Sequence, residues 1–131
     1  MTAVITPGAY LKRCRQAAGL SVADVAARLP TDPPSPEHLR GEWLELIEAD
    51  ATPASFRTII ALRTRGFRFD IHVLSLLEAI AQGIEATPPR LCRICACSDH
   101  APCMSEMGDG CTWVAEDLCS ACGDAPVGQH A

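Results

Sequence analysis

The stretch Leu91-Cys-Arg-Ile-Cys-Ala-Cys-Ser-Asp-His-Ala-Pro-Cys103, followed by Gly110-Cys-Thr-Trp113 and Asp117-Leu-Cys-Ser-Ala-Cys-Gly123, holds seven of the chain's eight cysteines within 31 residues. Two Cys-x2-Cys pairs, Cys92/Cys95 and Cys119/Cys122, bracket the run, and Cys97, Cys103 and Cys111 fall between them. A pair at this spacing presents two sulfurs to one ion from a single tight turn, as structural zinc sites require. A four-thiolate zinc site from Cys92, Cys95, Cys119 and Cys122 is therefore the first expectation. The last 41 residues are too few to build an apolar core unaided, so a metal is expected in its place.

The intervening thiols admit several arrangements. Cys97, Cys103 and Cys111 make a second tetrahedral site if His100 supplies the fourth ligand. Two zinc ions sharing one thiolate need seven sulfurs, the number present. One zinc with three unligated thiols is the plainest reading. The Cys92-x2-Cys95-x-Cys97 opening also suits an iron–sulfur cluster, although the two knuckles and the glycine after Cys122 favour zinc. That glycine is expected to let the backbone curl and aim N–H groups at the sulfurs. Trp113 supplies the segment's large apolar anchor.

Working outward, residues 1–90 carry ten basic and ten acidic side chains, whereas residues 91–131 carry Arg93 against six acids. The net charge of −5 thus resides in the cysteine segment, and the chain has no global basic field to attract nucleic acid. Met1–Pro7 lacks the charged and apolar regions of a secretory signal, and no apolar run is long enough to span a membrane. A cytoplasmic location follows as the expectation. Thiols stay reduced there, and seven cannot pair off completely into disulfides.

Upstream of the cysteines the chain reads as helices. Thr6-Pro7 caps a first helix to about Ala18, with Tyr10, Leu11, Cys14, Ala17 and Ala18 on one face and Gly19 as its stop. Cys14 on that face reads as a small buried hydrophobe. Ser21 to Asp24 has the form of a capping box and opens a second helix with Val22, Val25, Ala26 and Leu29 inward. A proline-rich connection, Pro30 to Pro36, ends in Ser35-Pro36, a cap for a third helix from Glu37 to about Ala49, whose apolar residues Leu39, Trp43, Leu46 and Ile47 recur helically with Leu44 beside them. Thr52-Pro53 starts a fourth carrying Phe56, Ile59, Ile60 and Leu62 to Gly66. Asp70 caps a fifth, with Ile71, Val73, Leu74, Leu77 and Ile80 inward and Gly83 at its end. The boundaries expected are a helical domain over 1–83, a stiff linker over 84–90, a cysteine module over 91–125 and a tail over 126–131.

The residues Tyr10 to Leu29 and Leu44 to Glu48 resemble the phage-repressor type of helix-turn-helix domain, over roughly residues 8–82. That resemblance implies a mainly α, five-helix DNA-binding fold in which the third helix enters the groove. This third helix carries Glu37, Glu42, Glu45, Glu48 and then Asp50 against Arg40 and His38, a charge that phosphates repel. Phosphate contact then falls to Arg13, Arg15, Arg40, Arg57, Arg63, Arg65 and Arg68. The cysteine run is similar to a segment of small proteins from proteobacteria and their phages, with the same Trp and the same Leu-Cys-Ser-x-Cys ending. The resemblance implies a metal-bearing, zinc-ribbon or knuckle-like module and no reaction.

The leading functional expectation is a small bacterial or phage regulator that binds double-stranded DNA and carries one or two structural zinc ions. The alternative is a protein-interaction adaptor, or self-associating module, whose helix-turn-helix domain has lost DNA. A redox sensor built on iron–sulfur or reactive thiols is the third reading. There is no Gly-rich phosphate loop and no histidine placed as a base beside a nucleophile, so no catalytic residue is nominated and the chain is not read as an enzyme.

Overall fold

The computed structural model describes residues 4–30, 34–99, 102–103 and 110–123. The chain divides into two compact units, Met1–Pro88 and Pro89–Ala131. The described residues are about half helical, with one small two-stranded sheet among them.

The first unit contains α1 (Pro7–Ala17), α2 (Val22–Ala26), α3 (Glu37–Glu48), α4 (Phe56–Ala61) and α5 (Ile71–Ala81). Local signals set most of the boundaries. Thr6 Oγ1 accepts the Ala9 N–H, the Ser21/Asp24 box closes in both directions, and Asp70 accepts the N–H groups of His72 and Val73. Gly19 at φ 75° and Gly83 at φ 90° take the left-handed position after α1 and α5. The paired bonds Leu20 N–H to Arg15 O and Gly19 N–H to Gln16 O finish the cap of α1.

Asp50, at φ 59°, takes the same position after α3, with Ala51 N–H bonded to Leu46 O and Asp50 N–H to Ile47 O. Its carboxylate also accepts the Gly8 N–H at 2.9 Å, so one residue ends α3 through its backbone and caps α1 through its side chain. Gly8 is required by closeness: a Cβ there would lie 2.6 Å from the Glu48 carbonyl oxygen.

Four expectations are corrected. α4 starts at Phe56, because Ser55 rather than Thr52 accepts a helix N–H, that of Thr58. Ser35 does not cap α3, whose N-cap is Pro36; instead the Ser35 carbonyl accepts Arg40 Nη1. Leu39 and Leu46, members of the expected apolar stripe, are 46% and 49% exposed. The buried set on α3 is Gly41, Leu44, Ile47 and Glu48, which lies about one residue's rotation, roughly 100°, from the Leu39/Trp43/Leu46 stripe. Gly41 lies on the side of α3 that faces α2, where an added Cβ would meet Val22 and Ala26 only at ordinary contact distance. On α5, Ile71 is exposed, whereas Val73, Leu74 and Leu77 are buried at helical spacing.

α4 runs directly into a π-helical turn, Leu62–Gly66, closed by Phe67 N–H to Leu62 O, and Thr64 Oγ1 donates back to Ile60 O. The extended residues after it alternate. Phe67 and Phe69 point inward with ring centroids 5.6 Å apart, and Arg68 points out. The core gathers Tyr10, Leu11, Leu44, Leu62, Val73 and Leu77 with Cys14, as its apolar spacing predicted. Burial pushes the Tyr10 hydroxyl well above its ordinary pKa, and its oxygen accepts the Asp70 N–H at 3.0 Å.

The second unit is a short hairpin, β1 (Trp113–Ala115) antiparallel to β2 (Leu118–Cys119), leading into α6 (Ser120–Gly123). Residues 84–90 are neither helix nor strand; Arg90 belongs to the second unit. Among the described residues no helix is long and apolar enough to cross a membrane.

Candidate metal centre and basic face

The buried centre of the second unit is made of sulfur. Cys92, Cys97 and Cys119 are buried together, and Cys95, Cys103, Cys111, Cys122, Trp113 and Leu118 pack on them. A conventional apolar core is absent from these described residues, as the composition of the segment implied.

Backbone geometry explains the gathering. In the first knuckle Ala96 N–H bonds to Cys92 O and Cys92 N–H to Cys97 O, both at 2.9 Å, and Ala96 sits at φ 64°. The position calls for the left-handed conformation that glycine adopts most easily, and alanine holds it here. In the second knuckle Gly123 answers a different demand from the one expected. It has no positive φ among the residues that do; a Cβ would run into Val114 and approach Leu118 at 3.4 Å. The two knuckles are tied by Arg93 N–H to Asp117 O at 2.7 Å, and Ser120 N–H to Thr112 O at 2.6 Å ties the second knuckle to the residue before β1. Cys111 N–H donates to Cys103 O at 2.8 Å.

Trp113 packs beside the sulfurs, its indole N–H donating to Asp99. The Arg90 guanidinium lies 4.4 Å from its ring centroid while donating to the carbonyls of Glu116 and Ala115 at 2.7 and 2.8 Å. Arg93, expected only as the segment's lone cation, forms an exposed pair with Asp117.

Four sulfurs, those of Cys92, Cys95, Cys119 and Cys122, lie within 4.8 Å of one another, the set named from spacing alone. A second set, Cys95, Cys97, Cys103 and Cys119, meets the same limit. Tetrahedral zinc–thiolate bonds of about 2.3 Å put neighbouring sulfurs about 3.8 Å apart. The Cys95–Cys119 and Cys97–Cys111 separations are both 3.7 Å, and Cys95–Cys103 is 3.3 Å. Cys111 joins neither foursome, although its sulfur accepts the Cys103 N–H at 3.2 Å. His100 lies outside the described residues. Thiolates alone, at tetrahedral spacing and with no carboxylate among them, form a donor set suited to a thiophilic ion.

The electrostatics point the same way. Burial pushes up each thiol of the two foursomes, but backbone N–H groups of Cys119, Cys95 and Ile94 outweigh it at Cys92, whose pKa falls to about 6. Cys119 is lowered too, against burial, by the Cys122 N–H and neighbouring thiols. Burial and adjoining thiols push Cys103 up to about 12 and raise Cys97 and Cys122, and burial raises Cys95. Backbone N–H groups thus favour the anionic form at Cys92 and Cys119, against burial, while Cys95, Cys97, Cys103 and Cys122 are shifted toward the thiol.

The arginines nominated for phosphate contact are scattered. Arg15 is buried: Nε and Nη2 meet the two Glu48 carboxylate oxygens at 2.7 and 2.9 Å, and Nη1 meets Leu20 O at 2.8 Å. The Glu48 interaction holds its pKa above the ordinary arginine value. Contact with a phosphate would require breaking this pair. Arg40 is half-buried and bridges Ala26 O and Ser35 O at 2.7 and 2.5 Å. Arg57 is exposed on α4, and Arg13 is half-buried on α1. Arg63, Arg65 and Arg68, by contrast, converge around the π turn, and Arg28 joins them on one shallow concavity lined otherwise by Thr64, Gly66 and Phe67. Arg28 was missed because it follows the last turn of α2, far from the others in sequence; Val25, 3.5 Å from the site of a Gly66 Cβ, shows how the two stretches meet.

Comparison with protein-family models, with curated proteins and with solved structures finds no match for this chain.

Proposed function

We propose that this chain is a small DNA-binding regulator in which a helical unit touches the phosphate backbone and a cysteine unit serves as a structural zinc module. One observation carries the DNA reading: Arg28, Arg63, Arg65 and Arg68 share one solvent-facing concavity with no acid among its lining residues. Such a surface suits a polyanion. The acidic α3, which the helix-turn-helix resemblance would send into the groove, exposes Glu37, Glu42 and Glu45, so the arginine concavity takes over phosphate contact. Zinc is supported by the all-thiolate donor set, and a site closed by surplus sulfurs leaves no open position for a catalytic water, which favours a structural role over an enzyme. The test is fluorescence anisotropy of the zinc-loaded protein with duplex DNA at low salt. Saturable binding supports the reading, and its absence at 50 mM salt overturns it.

A second reading, a protein-interaction adaptor, is favoured by a separate observation. The unused apolar stripe of α3 leaves Leu39 and Leu46 exposed, and Phe56 at the start of α4 is 76% exposed. Leu39 and Trp43 line a groove of about 450 Å³ that extends to Arg57 and Thr58 of α4. Light scattering of the wild type beside Leu46→Ser/Phe56→Ser tests it for self-association; a monomer with unchanged behaviour in both would remove that form of the reading.

A further inference from the structure

The two sulfur foursomes are not separate: Cys95 and Cys119 belong to both. The remaining members divide evenly, Cys92 and Cys122 in one set and Cys97 and Cys103 in the other. The shared pair stands 3.7 Å apart, close to the edge of about 3.8 Å that a zinc–thiolate tetrahedron needs. Two tetrahedra sharing that edge have eight coordination positions, which six sulfurs fill when two of them bridge. We infer that the module holds two divalent, thiophilic metal ions joined by the bridging thiolates of Cys95 and Cys119. This inference rests on reading the cysteine unit as a structural metal module.

The chemistry balances. Six thiols release six protons to solvent, and six thiolates with two dications leave a net charge of −2, the charge of one ion in an isolated four-thiolate site. Bridging thus brings in a second ion without adding anionic charge to a buried centre. The chain supplies the geometry through Ala96. Its left-handed turn lets Cys95 and Cys97, two residues apart, serve together in the second set, while Cys92 N–H bonded to Cys97 O fixes the loop between them.

The arrangement differs from both sequence-based two-ion schemes. It uses neither His100 nor a seventh sulfur, and Cys111 stands beside the cluster as acceptor of the Cys103 N–H. Why the segment keeps Cys111 as a cysteine then has a concrete answer, that its sulfur orients the Cys103 ligand.

The decisive experiment loads the full-length protein with cadmium-113, a spectroscopic stand-in for zinc with the same thiolate preference. Metal analysis should give two ions per chain, and the spectrum two resonances coupled to each other through the shared sulfurs. Cys97→Ser and Cys103→Ser should each reduce the content to about one ion with the coupling lost, whereas Cys111→Ser should retain two coupled ions. Two uncoupled resonances, or loss of an ion from Cys111→Ser, would overturn the bridged cluster. A single ion in the folded wild type would also overturn it while leaving the structural-metal reading intact. Native protein purified with iron and sulfide, or with no metal, would overturn both.

Discussion

Replacing Arg63 and Arg65 by alanine tests the arginine concavity most directly. Both side chains are exposed, so the fold should change by about 0.5 kcal/mol or less. Binding should respond through counterion release, in which the logarithm of affinity falls with the logarithm of salt at about −0.9 for each neutralised phosphate. Four arginines, Arg28, Arg63, Arg65 and Arg68, predict a slope of about −3.6, or an affinity loss of about 150-fold between 50 and 200 mM salt. The double variant should show about −1.8 and lose only about 12-fold over the same range. Anisotropy titrations of a labelled duplex at four salt concentrations measure both slopes. Arg57→Ala, on the groove beside α3 rather than at the π turn, should leave the slope unchanged. An unaltered slope in Arg63→Ala/Arg65→Ala would refute the assignment of phosphate contact to this face, and a slope that drops with Arg57→Ala would move the contact to α4.

Other consequences are independent of DNA. Glu48→Ala strands the Arg15 guanidinium, whose side chain is 8% exposed, and should destabilise the helical unit by about 3–5 kcal/mol in urea titrations followed by circular dichroism, whereas an apolar Arg15→Leu/Glu48→Leu pair should recover most of the loss. Gly8→Ala pushes a methyl group into the Glu48 carbonyl and should cost about 1–3 kcal/mol in the same assay. Removing metal should open the cysteine unit and leave the helices folded; trypsin should then cut after Arg90 and Arg93, bonds protected in the loaded protein, as mass spectrometry of the digest would show. Ala96→Gly relieves a left-handed alanine and should slow metal loss to a chelator by roughly two- to fivefold, after the entropy of the unfolded glycine is subtracted. Metal affinity should fall as pH drops, because Cys95, Cys97, Cys103 and Cys122 have raised pKa values and must each give up a proton on binding; below about 6 the Cys92 thiol becomes protonated as well, and competition titrations against a chelator at pH 5.5 and 7.5 would read the difference.

How legible the helices were depended on how local their causes are. Thr6, Ser21, Asp70, Gly19 and Gly83 act on backbone groups within a few residues, so each boundary they set could be read from the sequence. Asp50 could not, since an aspartate at φ 59° declares itself only through the Gly8 N–H that it binds 42 residues away. The face of α3 was legible only in part for a related reason: Leu44 and Ile47 are buried, whereas Leu39 and Leu46 are exposed. Its sequence carries apolar residues on more than one side, and the choice between them was made by packing against Val22 and Ala26 of α2, a contact across the proline-rich connection. The fate of Arg15 and Glu48 was equally non-local. In sequence they are a basic residue on α1 and one acid among several on α3; in the fold each cancels the other, which removes one nominated phosphate contact and one repulsive charge together.

The metal centre shows the same division within a single site. Cys-x2-Cys spacing is a local statement about one turn, and it named Cys92, Cys95, Cys119 and Cys122 correctly as a set able to meet one ion. A count of sulfurs treats each thiol as equivalent, so seven thiols invite a seven-sulfur answer, whereas the positions of the sulfurs distinguish one thiol from another. Cys95 and Cys119 are each reached from both sides, one by the Ala96 turn and the other by the Trp113–Cys119 hairpin, whereas Cys111, paired by backbone to Cys103, stops 3.7 Å from Cys97 and outside either foursome. A buried sulfur that touches two sets of partners gains more from a cation than one that touches a single set, since two positive charges offset the cost of ionising it in an apolar surrounding. If bridging is what holds this unit together, Cys95→Ser should release both ions and unfold it, while Cys122→Ser, a terminal ligand of one ion, should leave a folded unit that retains the other.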